Sequence, residues 1–182
     1  TEHPNLASSY SNLAMVLKNL GEYQQAQTLM QKAISIDEKH FDTEHPILAI
    51  RYANLAIVLE DLGEYQQTLG LLQKAISIDK KHFGDEHPTL FTSYSNLASV
   101  LQSLGEYEQA RYFLQKAISI NEKHFGNEHP TLSIGYSNLA VVLQNLGDYA
   151  EAKSLLQKAI IISEKHFGTE HPTLATNHTN LA

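Results

Sequence analysis

Residues 94–107 read Tyr-Ser-Asn-Leu-Ala-Ser-Val-Leu-Gln-Ser-Leu-Gly-Glu-Tyr, and this stretch recurs along the chain. Related copies begin at Tyr10, Tyr52 and Tyr136, and a partial copy stands at residues 180–182. The step between copies is 42 residues, as from position 52 to position 94. The same step separates the five His-Pro pairs, which start at His3, His45, His87, His129 and His171. A fixed period of this length indicates a repeat protein whose units stack on one another.

Each repeat predicts two consecutive helices, which we name A and B. Apolar residues of the third repeat recur at steps of three and four, the period of an α-helix; they are Leu90, Tyr94, Leu97, Ala98, Leu101 and Leu104. Gly105 follows them and can take the left-handed conformation that ends helix A. Glu106 is expected to open helix B, because an acidic side chain complements the helix dipole there. So short a connection forces the two helices to run antiparallel.

The composition excludes several classes of function. A formal net charge of −7 argues against nucleic-acid binding, which requires a clustered basic surface. The absence of cysteine removes disulfides, thiolate metal sites and cysteine nucleophiles, and it fits a reducing compartment. The sequence has no apolar run approaching the roughly 18 residues of a membrane span. We therefore expect no nucleic-acid partner, no membrane partner and a cytoplasmic location.

The spacing of the repeat resembles that of tetratricopeptide repeats. The residues that carry the resemblance in the third repeat are Tyr94, Leu97, Ala98, Leu101, Gly105, Tyr107, Ala110, Leu114 and Ala117. Ala98 stands where that family has a small glycine. Glu122 stands where the 34-residue form has the proline that ends helix B, so helix B can continue for about two more turns.

The longer repeat is similar to those of kinesin light chains and related bacterial repeat proteins, through its Asn-Leu-Ala, Lys-Ala-Ile and Glu-Lys-His-Phe-Gly-x-Glu-His-Pro segments. Kinesin light chains use their arrays to hold peptide cargo motifs. The repeats of this chain are more alike than in those proteins, which favours a recently duplicated bacterial array or a consensus-like design.

The predicted fold is an all-α solenoid, a right-handed superhelix of antiparallel helix pairs with four repeats and a partial fifth helix A. The whole chain, residues 1–182, is predicted to form one array. Its repeats cover 3–44, 45–86, 87–128, 129–170 and, in part, 171–182. Nine helices are expected at about 4–20, 22–40, 46–62, 64–82, 88–104, 106–124, 130–146, 148–166 and 172–182.

The resemblance implies a concave groove lined by the A helices. The position that faces this groove in tetratricopeptide repeats matches Asn12, Asn54, Asn96 and Asn138, with Asn180 in the partial repeat. An amide both donates and accepts hydrogen bonds, so a column of amides suits an extended peptide backbone. The alternative role for the column is hydrogen bonding to a neighbouring repeat, which would set the stacking.

Helical spacing around the Asn column adds further residues to the predicted groove. They are Ile50, Arg51, Ile57, Ser95, Ser99, Gln102, Ile134 and Val141. This surface is small, neutral and mildly apolar, and only Lys18 and Arg51 bring positive charge near it. An acidic peptide would lose its hydration there without gaining partners. The predicted ligand is therefore an extended, largely uncharged peptide segment.

Paired histidines raise the question of a metal site. His124 and His129 lie five residues apart with a glutamate between them, as do their equivalents in other repeats. This spacing is not that of a zinc site, which gathers more than two ligands close together. We expect His124 to act as a cation near a helix C-terminus and His129 to pack at the start of helix A. No metal and no cofactor are expected.

Function is predicted to be binding without catalysis. Candidate Ser, His and Glu residues repeat with the scaffold, whereas an active site needs one singular cluster. The predicted protein is a non-enzymatic scaffold for a protein or peptide partner. Two alternatives stay open: a structural, self-assembling or engineered array without a ligand, and the sensor or recognition segment of a larger signalling protein.

The ends of the chain predict a further property. The last helix A carries Leu174 and Leu181 with no following helix B to cover them. We expect a piece of a longer array, with weak end-to-end self-association through its uncapped terminal helices.

Overall fold

The computed structural model describes residues 3–168, and this part of the chain holds eight α-helices and no strand. They are α1 (Pro4–Asn19), α2 (Tyr23–His40), α3 (Pro46–Asp61), α4 (Tyr65–Phe83), α5 (Thr89–Ser103), α6 (Tyr107–Phe125), α7 (Thr131–Leu146) and α8 (Tyr149–Phe167). The predicted all-α class is confirmed, and every bound lies within two residues of its prediction. The ninth predicted helix, 172–182, lies outside the described residues. None of the eight helices is long and apolar enough to cross a membrane.

The turn between helices A and B is closed by a glycine, as predicted. Gly105 has a φ of +78°, a left-handed conformation that costs glycine little. Its N–H donates to the Gln102 carbonyl at 3.0 Å, and the Glu106 N–H donates to the Leu101 carbonyl at 2.8 Å. These two bonds satisfy carbonyls at the end of α5 and reverse the chain. Consequently α5 and α6 pack side by side as an antiparallel pair.

Helix B begins one residue later than predicted. Glu106 occupies the N-cap position, but its side chain makes no capping hydrogen bond to the backbone. It instead accepts a hydrogen bond from the Gln109 amide at 3.0 Å. The Glu106 carboxylate thus lies at the N-terminus of helix B, as predicted, but the first helical residue is Tyr107.

The extension of helix B is confirmed, and its end depends on one residue. Three B helices run for 19 residues and stop at a glycine with positive φ, as α4 does at Gly84 with φ +89°. Asp42 holds the equivalent position in the first repeat, and α2 ends one residue sooner, at His40. Glycine reaches positive φ without a steric penalty, so the residue before it can stay helical.

The chain divides into two compact units between Asp85 and Glu86. In the first unit, α3 packs on the pair α1 and α2, and Met30, Leu48 and Val58 are fully buried between them. In the second unit, α7 packs on α6, and Leu132 and Leu143 are fully buried. The helix pairs α3–α4 and α7–α8 are also in contact within their units. The single array predicted over residues 1–182 stays a prediction.

Candidate functional site

Each A helix of the described residues carries one asparagine of the predicted column. Asn12 and Asn138 are exposed, and Asn54 and Asn96 are half-buried. Within residues 3–168, none of these four side chains forms a hydrogen bond with another residue. These amides therefore do not form the alternative contact, a hydrogen bond to a neighbouring repeat, within that range. Their amide donors and acceptors are therefore not used by other residues within that range.

The second A helix of each unit places its asparagine between two aliphatic side chains. On α3, Ile50, Asn54 and Ile57 follow one another at steps of four and three, so they share one helix face. Ile50 is 54% exposed and Ile57 is half-buried. We call these three residues the α3 strip.

An equivalent strip lies on α7 and consists of Ile134, Asn138 and Val141. Ile134 is 53% exposed, and Val141 is half-buried. We call these three residues the α7 strip. The two strips thus present the same chemistry, an open amide flanked by aliphatic surface, once in each unit.

The first A helix of each unit is more polar on the same face. Ser8 and Thr92 replace the exposed isoleucines. Among the predicted groove residues of α5, Ser95 donates its hydroxyl proton to the Phe91 carbonyl at 2.8 Å, which uses that donor within its own helix. Ser99 is exposed and Gln102 is half-buried.

Arg51, the one predicted groove residue with a charge, lies inside the first unit. Its side chain is 6% exposed, and its Nε donates to the Asp37 carboxylate at 2.8 Å. Its Nη2 donates to the Ser8 hydroxyl at 3.0 Å. Because Asp37 is also buried, the two charges compensate each other between α2 and α3. The guanidinium is thus committed to internal partners.

Lys18, the other cation that the sequence placed near the groove, also has a partner. Its ammonium lies 3.4 Å from the Asp61 carboxylate. Since the charges of Lys18 and Arg51 are both paired, the A-helix face of the first unit carries no strongly basic clamp among its described residues.

Two cavities lie away from the asparagines and are lined by equivalent residues in the two units. The first measures about 380 Å³ and the second about 290 Å³. In the first, the Tyr52 hydroxyl donates to Glu38 at 2.9 Å, and the Lys74 ammonium lies 5.8 Å from the ring centroid. In the second, the Tyr136 hydroxyl donates to Glu122 at 2.5 Å. Each bond joins a helix A to the preceding helix B.

Burial, followed by the hydrogen bond to Glu38, raises the pKa of Tyr52 to about 12. The same causes, with Glu122 as the partner, raise the pKa of Tyr136. Both phenols therefore stay neutral donors at physiological pH. The Lys74 ammonium, which lies over the Tyr52 ring, adds a cation–π contact.

Three histidines, His82, His124 and His166, each join the end of a helix B to the loop before a helix A. His124 Nε2 lies 2.8 Å from the Glu86 carbonyl oxygen, and Lys123 pairs with the Glu86 carboxylate. His166 and Lys165 make the same contacts with Glu128, and the ion pair with Lys165 lowers the pKa of that carboxyl. We call this arrangement the Glu–Lys–His contact. Sequence reasoning missed it because its partners are 37 and 38 residues apart.

His3, His45 and His87 each help to start a helix A. His45 Nδ1 accepts a hydrogen bond from the Ile47 N–H at 3.2 Å, and His3 Nδ1 accepts one from the Asn5 N–H at 3.1 Å. The side chain thus satisfies a backbone donor at the helix N-terminus. In the part of the chain that the structure describes, no three His, Cys, Asp or Glu side chains gather as a metal site would require.

Comparison with known families and structures places these features in context. A family model described as tetratricopeptide repeat matches residues 5–81 and 47–123, and a second model with the same description matches residues 135–173. The chain is similar to the nearly identical TPR-like repeats of a protein from Podosopora anserina assigned as a kinesin light chain. The identity is 29% over 100% of this chain and 86% of the other, with a TM-score of 0.84.

Two more distant structures share the fold. BtubC (BKLC) from P. vanneervenii is 22% identical over 98% of this chain and 71% of its own, with a TM-score of 0.85. MamA is 23% identical over 89% of this chain and 81% of its own, with a TM-score of 0.66. A search of curated proteins found no match.

Proposed function

The chain belongs to the tetratricopeptide repeat family, in its kinesin-light-chain-like form, and we propose that it holds an extended, uncharged segment of a protein partner. The family's repeat solenoids are scaffolds for protein–protein interaction. The proposed scaffold is non-enzymatic. Its binding surface is the exposed face of the A helices, and Asn12, Asn54, Asn96 and Asn138 carry it.

The observation that carries the proposal is that these four side-chain amides form no hydrogen bond with another described residue. Asparagine is unfavourable inside a helix, since its side chain competes for backbone hydrogen bonds. A structural role would compensate that cost with an internal partner, yet the described residues supply none. A bound backbone would use both the amide N–H and the amide oxygen of each side chain.

The charges around this face support an uncharged ligand. Arg51 is neutralised by Asp37 and Lys18 lies beside Asp61, so an acidic segment would meet no unpaired cation from either residue. Desolvating a carboxylate without a partner is costly. The aliphatic surface of Ile50 and Ile134 instead favours uncharged side chains.

A peptide-display selection on the full chain, followed by binding measurements, tests the proposal. The triple variant Asn54→Ala/Asn96→Ala/Asn138→Ala should lose at least about tenfold in affinity for the selected peptides, since each amide hydrogen bond contributes about 0.5–1.5 kcal/mol. Its stability should not fall, because alanine has the higher helix propensity.

The matched control is Gln31→Ala/Gln73→Ala/Gln115→Ala, which removes three exposed amides from the B helices. It should bind as the wild type does. Full binding by the asparagine variant, or a loss of stability in it, would show that the column is structural.

A second candidate, self-association, is favoured by the exposed surface of α1. Leu13 is 49% exposed and Val16 is 54% exposed, whereas their equivalents on α3, Leu55 and Val58, are buried inside the first unit. Exposed apolar surface of this kind marks interaction sites. Sedimentation velocity at rising concentration should then show association that Val16→Glu abolishes, and a concentration-independent monomer would contradict this candidate.

A further inference from the structure

We infer that each unit binds a small zwitterion, a molecule with one ammonium and one carboxylate group, in the cavity beside its buried tyrosine. The first cavity lies beside Tyr52 and the second beside Tyr136. Each cavity is lined by residues of a single unit. The inference goes beyond the proposed function and is independent of it, because none of the four column asparagines lines either cavity.

In the first unit, two opposite charges flank Tyr52 without pairing with each other. The Lys74 ammonium lies over the tyrosine ring, 5.8 Å from its centroid, and Glu38 accepts the hydrogen bond from the tyrosine hydroxyl at 2.9 Å. Both charged side chains belong to exposed residues and line the cavity. Within residues 3–168, neither of them forms an ion pair. The cavity therefore presents one cation and one anion that no other described residue neutralises.

The second unit repeats this arrangement with equivalent residues. The Lys158 ammonium lies 5.8 Å from the centroid of the Tyr136 ring, and Glu122 accepts the hydrogen bond from the hydroxyl at 2.5 Å. Neither charged side chain forms an ion pair with another residue of the described range. In the third repeat, by contrast, the Lys116 ammonium lies over Tyr112 of its own helix, 4.6 Å from the ring centroid. The lysine shared by the repeats thus does not by itself produce the arrangement.

The floor and one wall of the first cavity are fixed by internal contacts. Tyr52 and Ile78 are buried and supply a rigid, partly apolar floor. Glu44 lines the wall, and its carboxylate pairs with Lys81 while its carbonyl oxygen contacts His82, so its charge is already neutralised. The two cavities measure about 380 and 290 Å³, at the small end of the range of about 300–1,000 Å³ found for ligand sites. They therefore suit a molecule of the size of an amino acid.

A zwitterion satisfies both charges of the cavity at once. Its carboxylate accepts hydrogen bonds from the Lys74 ammonium, and its ammonium donates to the Glu38 carboxylate, of which the tyrosine hydroxyl contacts only Oε1. Charge-assisted hydrogen bonds of this kind are stronger than neutral ones. A simple anion would pair with the lysine but would be repelled by the glutamate, and a simple cation would meet the opposite conflict. Both charges of the ligand are therefore needed.

The probes are glycine, β-alanine and γ-aminobutyrate, which carry the same two charges at increasing separation. Acetate and methylammonium are the single-charge controls. Each probe is titrated into the full-length protein at millimolar concentrations, and the ring signals of Tyr52 and Tyr136 are followed by NMR.

The test variants are Lys74→Gln and Glu38→Gln, and the second keeps an acceptor for the Tyr52 hydroxyl while it removes the charge. Lys39→Gln is the matched control, because it removes an exposed lysine that follows Glu38 but does not line the cavity. The second unit is unchanged in all three variants, so the signals of Tyr136 serve as an internal reference.

At least one zwitterion should shift the ring signals of both tyrosines to saturation, and the single-charge probes should bind about tenfold or more weakly. Each test variant should lower the affinity measured at Tyr52 about tenfold or more and leave the affinity at Tyr136 unchanged. Lys39→Gln should change neither affinity. The inference is wrong if no zwitterion binds, if the single-charge probes bind equally well, or if both test variants keep the wild-type affinity at Tyr52. None of these outcomes affects the asparagine column, which is tested with displayed peptides.

Discussion

Replacing Asp37 by alanine tests the ion pair between α2 and α3. The Arg51 guanidinium and the Asp37 carboxylate are 2.8 Å apart, with side chains 6% and 1% exposed. At an effective dielectric constant of about 20, their Coulomb attraction is about 6 kcal/mol. Most of that attraction offsets the cost of taking both charges out of water.

Asp37→Ala removes the attraction but leaves the guanidinium buried, with Ser8 as its remaining polar partner among the contacts described above. We expect the free energy of unfolding of the first unit to fall by about 3–5 kcal/mol. Asp85→Ala is the matched control, because it breaks an exposed pair with Lys80 and should cost about 0–1 kcal/mol.

The double variant Asp37→Asn/Arg51→Ser separates the ion pair from the packing around it. It introduces the neutral residues that repeat 3 carries at these positions, Asn121 and Ser93, and removes both buried charges. Its loss should be clearly smaller than that of Asp37→Ala, since removing both partners of a buried pair is often close to neutral.

Urea unfolding followed by far-UV circular dichroism measures these differences. Hydrogen exchange at the amides of α2 and α3 locates them, because repeat proteins need not unfold in one step. The reasoning is refuted if Asp37→Ala costs less than about 1 kcal/mol, or if the double variant is as unstable as the single one.

Three further predictions concern the buried contacts. The folded state binds the Tyr52 proton more tightly than the unfolded chain does. The stability that this group contributes is therefore complete below pH 10 and is lost as the pH rises through about 12. The pKa of Tyr52 is measured from tyrosinate absorbance in an alkaline titration. Glu38→Gln should lower that pKa only in part, because burial is the larger cause, and a complete return to the ordinary value would contradict this ordering. Gly135→Arg should lower the free energy of unfolding by about 3 kcal/mol or more. A β-carbon at position 135 would lie 3.1 Å from Ile118 and 3.3 Å from Phe91, and the new guanidinium would find the neutral Asn121 where the first unit has Asp37. A urea unfolding midpoint equal to that of the wild type would refute this prediction.

Most of the fold could be predicted from local sequence. The apolar period identified each helix, and Gly105 marked the turn because few other residues tolerate a φ of +78°. The ends of α2 and α7 were predicted correctly, whereas α1, α3 and α5 each end one residue before the predicted position, where capping geometry decides the last turn.

The candidate site could be predicted only in part. The A-helix position of Asn54 and Asn138 followed from the repeat, and so did the exposure of Ile50 and Ile134 on the same face. The sequence could not show that these amides have no partner within the described residues. Any nearby polar group of another helix could have formed a hydrogen bond with them.

The sequence by itself determined the helix pairs, because period, turn glycines and spacing act within about twenty residues of the chain. Only the tertiary structure decided what Arg51 does, since its direction depends on Asp37, which lies on a different helix. It also decided the contact between Glu86 and His124. A helical period assigns a residue to a face, but the partner across an interface is nonlocal, and a buried charge turns towards the group that compensates it.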